Sequence, residues 1–155
     1  MAIRLGDEIV ELLGNPDTIK ILTTVDESGT PHAVAKQSLS VDSNGDIFYL
    51  ERIESSRTNR NLVWSIWFER KVSILLISKD GRSYQIKGTP TRSHVSGPIF
   101  QKHYAALRAR LGDVDLSAVW VITPESIIDE SWKSRHEQEQ TARPHFIHLD
   151  RIVNA

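Results

Sequence analysis

At 155 residues, with 39% apolar and 25% charged residues, the chain has the composition of one soluble globular domain. A net charge of −1 excludes a global basic field of the kind that binds nucleic acid, and the absence of cysteine excludes disulfides, thiolate metal sites and a thiol nucleophile. No apolar run reaches membrane-spanning length, and acids interrupt Met1–Gly14 where a signal peptide would be apolar, so a cytoplasmic chain without a membrane partner is expected.

Asp7 to Leu13 predicts a short amphipathic helix with Ile9, Val10, Leu12 and Leu13 on its apolar side, stopped by Gly14-Asn15-Pro16. Thr18 to Val25 is β-branched and predicts a strand. Asp26-Glu27-Ser28-Gly29 is a turn, and Pro31 to Val41 is the returning strand. A second turn, Asp42 to Asp46, leads to a strand from Ile47 to Leu50. A helix is expected from Thr58 to Phe68, with Leu62, Ile66 and Trp67 on its buried side.

Val72 to Ser78 is a continuous apolar run, as in a central strand. After the turn at Lys79-Asp80-Gly81-Arg82, Ser83 to His94 returns. Gly88 inside that strand points to a bulge or a close backbone approach. Gly97-Pro98 opens a helix to Leu111, with Ile99, Phe100, His103, Tyr104, Leu107 and Leu111 near one face, capped by Gly112. Leu116 to Thr123 closes the set. Residues 129–155 form a charged extension, expected to reach over a partner subunit. Six short strands with tight turns and two intervening helices predict a mainly β (α+β) chain built as an antiparallel barrel.

Between the third strand and the second helix lies Arg52-Ile53-Glu54-Ser55-Ser56-Arg57-Thr58. Free N–H groups at a helix start attract an anion, hydroxyls add directional bonds, and a guanidinium grips phosphate in a fork. The same residues serve equally as an ordinary N-cap with arginines in water. Both readings stand on these residues alone.

The chain resembles the split-barrel flavin-binding proteins, the superfamily of pyridoxamine 5′-phosphate oxidase and of the small FMN-binding protein of anaerobes. The resemblance runs from about Lys20 to Thr123. It is carried by Thr23-Thr24-Val25 and Pro31-His32-Ala33-Val34, by Ser56-Arg57-Thr58-Asn59-Arg60-Asn61-Leu62, by Val72-Ser73-Ile74-Leu75-Leu76, and by Tyr84-Gln85-Ile86-Lys87-Gly88.

The resemblance implies a six-stranded split barrel over residues 1–128, a homodimer, and one FMN per subunit near the dimer interface. It also implies a small-molecule redox substrate or electron-transfer partner. Ser56, Arg57 and Thr58 would hold the FMN phosphate, with Thr58 where the oxidases carry lysine. Asn61 matches a mostly structural asparagine. Val34, Ala35, Lys36, Gln37 and Ser38 would line the ring and ribityl chain, and Gln85 would reach the flavin across the dimer. The substrate-binding segment of the oxidases does not align with Ser126–Ala155, so the resemblance does not extend to vitamin B6 oxidation. Relatives in the superfamily use deazaflavin or haem, which are the alternative cofactors.

Other residues read more plainly. Trp64, Trp67 and Trp120 are expected to pack, and Trp132 is a possible flavin contact at a dimer interface. His136, His145 and His148 complete no known metal pattern, so no metal site is expected. His94 and His103 are placed without an assigned role.

Overall fold

The computed structural model describes residues 1–144. Its strands are β1 (Ile19–Val25), β2 (Pro31–Ala35), β3 (Leu39–Val41), β4 (Ile47–Glu51), β5 (Val72–Ile77), β6 (Ser83–His94) and β7 (Ala118–Asp129). Its helices are α1 (Asp7–Gly14), α2 (Arg57–Trp67), α3 (Gly97–Leu111) and α4 (Trp132–Ala142). All strand pairs are antiparallel, and the 7-stranded sheet runs β2-β1-β5-β6-β7-β4-β3.

That order explains why the expected six strands are seven. The predicted strand Pro31–Val41 is broken at Lys36-Gln37-Ser38 into β2 and β3. β2 pairs with β1 at one edge of the sheet, and β3 pairs with β4 at the opposite edge. The three residues between them join the two edges of the curled sheet, a tertiary demand that no local breaker residue announces.

Alternation along the strands sorts inside from outside. Leu22, Ile74 and Ile86 face inward in register and are buried with Leu39, Ile47, Tyr49, Trp120 and Ile122. Ile9, Leu12 and Leu13 of α1 join that core at helical spacing, while Val10 stays exposed. On the other side of β4 and β7, a second cluster packs Leu107 of α3 with Leu116, Val119, Phe48 and Leu50.

The two long strands β6 and β7 slip register between Lys87 and Gly88. The slip admits Pro124 inside β7, which therefore runs to Asp129 rather than stopping at Thr123. Gly88 meets the expectation of close approach: a Cβ there would sit 2.6 Å from the Thr123 carbonyl oxygen.

α2 buries a different face from the one expected. Thr58, Asn61, Leu62 and Ser65 are inside, whereas Ile66 lies at the surface and Trp67 is 78% exposed. Two of these inward polar groups, Asn61 and Ser65, are hydrogen-bonded. The Asn61 side-chain amide donates to Thr24 Oγ1 at 3.0 Å, and Ser65 Oγ donates to the Asn61 carbonyl at 2.7 Å. α4, within the predicted extension, buries no residue, and its Trp132 stacks on His136 at 5.2 Å between ring centroids. His145 and His148 lie outside the described residues.

Candidate functional site

The corner between β4 and α2 is organised from beneath by Glu51, which is 1% exposed. Its carboxylate accepts from Tyr49 Oη at 2.6 Å, Ser56 Oγ at 2.7 Å and the Ile53 N–H at 3.0 Å. Burial, with the bond to Glu51 adding to it, pushes the Tyr49 phenol pKa well above its ordinary value. Glu51 thus has three hydrogen-bond donors and no ion-pair partner among the described residues.

This network settles the orientation of Ser56. Its hydroxyl donates to Glu51 and accepts from the Asn59 N–H at 3.0 Å, so Ser56 is the N-cap of α2. Its single proton is committed inward. Thr58 is buried on the inner side of the helix, and Asn61 is held by Thr24. The expected hydroxyl donors of the phosphate corner therefore turn into the protein.

What remains outward is Arg57, exposed and without an ion pair among the described residues, followed one turn on by Arg60. The backbone N–H groups of Arg57 and Thr58 have no backbone acceptor there. Arg57, Asn59, Arg60, Asn61, Trp64 and Trp67 line a cavity of about 470 Å³, with Asp26, Glu27 and Glu54 on its acidic side. Asp26 is held below the usual carboxylate range chiefly by the Thr30 N–H, with Arg57 contributing.

The β2–β3 junction lies elsewhere. Ala35, Lys36, Gln37 and Ser38 line a separate groove of about 740 Å³, together with Glu51, Arg52 and α3 residues such as Arg110. Lys36 places its ammonium 5.4 Å from the Tyr49 ring centroid, so it overlies the Glu51 network. Gln37 is structural: it accepts from the Lys20 N–H and donates to the Pro16 and Thr18 carbonyls. Ser38 Oγ donates to the Leu50 carbonyl at 3.0 Å. Val34 lies on the same face as buried Leu22, opposite to Ala35.

Gln85 sits in neither hollow. It lies on the outer face of the sheet in the row Ala35, Ile21, Leu75, Gln85, Ile128, all partly exposed. Three strand spacings put it about 14 Å from Ala35 within one protomer. The expected residues thus gather around one corner, one groove and one sheet face rather than a single pocket.

Glu51 was not anticipated from the sequence. A lone acid after an apolar strand reads as the strand's exposed end, and only the neighbouring Tyr49 at i−2 hinted at a shared inward face. Among the tryptophans, Trp120 is buried and donates to Asn59 Oδ1 at 2.8 Å, as packing requires. Trp67 does not pack in the protomer. No group of three or more metal-ligating side chains occurs among the described residues, and no helix there is long and apolar enough to cross a membrane.

No protein-family model and no curated protein sequence matches the chain. Solved structures do. HupZ of Group A Streptococcus superposes with a TM-score of 0.67 at 21% identity, covering 83% of this chain and 95% of that one. An FMN-binding protein of Syntrophomonas wolfei gives 0.64 at 16% identity, covering 80% and 87%. HutZ, the haem storage protein of Vibrio cholerae, gives 0.59 at 20% identity, covering 82% and 95%. The chain therefore has the split-barrel fold of the pyridoxamine 5′-phosphate oxidase-like FMN-binding proteins.

Proposed function

We propose that the protein binds FMN as a homodimer and acts in redox chemistry on a small molecule or an electron-transfer partner. The observation that carries this reading is the start of α2. There Arg57, exposed and without an ion pair among the described residues, opens onto a cavity, and the N–H groups of Arg57 and Thr58 at the helix start have no backbone acceptor. In this reading Arg57 and those N–H groups take the phosphate, and the hydroxyls of Ser56 and Thr58 do not.

β2 supports the placement of the ring. Its outward residues are Pro31, Ala33 and Ala35, two of them alanines, which leave room for a flat group against the strand. Arg57 lies toward one end of that strand and Lys36 follows the other. Bound FMN supplies an isoalloxazine that accepts and returns electrons. The chain's own part is to fix the phosphate, orient the ring and keep the site dry.

The outer face of the sheet supports the dimer of this reading. Ile21, Leu75 and Ile128 form an apolar row there, beside Ile19 and Ile77. β5 is apolar on both faces, the pattern of a strand covered on both sides. A second copy laid on this face brings Gln85 of one protomer toward the flavin of the other, which reconciles its position with its expected role. Titration of FMN onto the purified chain, followed by absorption, tests the reading. Retention of bound flavin supports it, and no binding at micromolar protein removes it.

A further inference from the structure

The cavity beside Arg57 is larger than a phosphate anchor requires. It follows α2 through Arg57, Arg60, Trp64 and Trp67, spaced i, i+3, i+7 and i+10. These positions share one ridge of the helix about 15 Å long. The ridge is cationic at its start and aromatic beyond. Its volume of about 470 Å³ falls within the range of small-molecule pockets, roughly 300–1,000 Å³.

One feature of the wall is unexplained by the fold. Trp67 presents an indole that is 78% exposed, though it stands on a helix whose other face is fully packed. The lining also includes Asp26, Glu27 and Glu54, whose carboxylates suit amino and hydroxyl donors. FMN held by its phosphate at Arg57 has nothing to place in this space.

We infer that the cavity takes the adenylate half of FAD, so that the protein prefers FAD to FMN; this rests on the flavin reading above. The flavin phosphate stays at Arg57. Arg60 takes the second phosphate, one helical turn on. The adenine stacks on Trp67, and its amino group and the ribose hydroxyls face the acidic side chains. The aromatic ridge and the acidic side chains together favour a base over a polyanionic tail.

The test is to titrate FMN and FAD separately onto the full chain and onto Trp67→Ala and Arg60→Ala, reading dissociation constants by calorimetry. The native chain should bind FAD about tenfold or more tighter than FMN, the effect of one stacked base. Trp67→Ala should remove most of that advantage and leave FMN affinity unchanged, and Arg60→Ala should weaken FAD more than FMN. Equal affinities in the native chain overturn the inference and leave the flavin reading intact. So does a Trp67→Ala chain that weakens both flavins alike or changes its oligomeric mass, which would make Trp67 an interface residue. If neither flavin binds, the flavin reading and the inference fall together.

Discussion

Two residues decide the chemistry of the corner, and they are separable. Arg57 is exposed, so replacing it by alanine should leave the fold intact and remove a charge-assisted contact worth about 1.5–3 kcal/mol. That is roughly a 10- to 150-fold rise in the FMN dissociation constant, measured by titration. Glu51 is the opposite case. Glu51→Ala strands the Tyr49 and Ser56 hydroxyls and the Ile53 N–H, so denaturant unfolding should show a loss of at least about 2 kcal/mol. The Ser-Ser-Arg-Thr run marked the start of α2 in the sequence. It did not say which hydroxyls face out, because that depends on a buried acceptor five residues upstream. In the structure the Ser56 hydroxyl donates to Glu51, and Thr58 is buried on the inner side of α2.

Among the elements, α2 shows why apolar periodicity misled. Its buried face is mostly polar, with Thr58, Asn61 and Ser65 beside Leu62, and Asn61 and Ser65 rely on partners that a pattern of apolar residues does not register. Gly88 was legible for the opposite reason: a glycine within a strand has few purposes, and close packing against β7 is the one realised. Gly88→Ala forces backbone against backbone and should cost about 1–3 kcal/mol in denaturant unfolding. α3 carries a pH dependence. His103 packs edge-on against Phe48 at 5.0 Å, and burial lowers its pKa, with nearby Lys102 and His94 adding to the effect. The folded state then binds fewer protons than the unfolded one. Stability is full above the unfolded imidazole pKa of about 6.5 and is lost as pH falls below it. Thermal melts should show His103→Gln losing less stability than the native chain between about pH 7.5 and 5.5.

For the whole molecule, most strands and the mainly β barrel were legible from turn residues and β-branched runs, whereas the order of the strands in the sheet was not. Nor was the split of the second strand, because closing a sheet is a property of all its strands together. The proposed dimer likewise rests on a face rather than a motif. Leu75 sits in the middle of the outer apolar row, so Leu75→Lys should leave a folded protomer and halve the mass found by sedimentation. The central claim is flavin binding anchored at the start of α2. The most direct measurement is the absorption spectrum of the native chain and of Arg57→Ala after mixing with FMN and desalting. Flavin bands retained by the native chain and lost from the variant are the expected result. No retained flavin in the native chain, or equal retention in both, would contradict it.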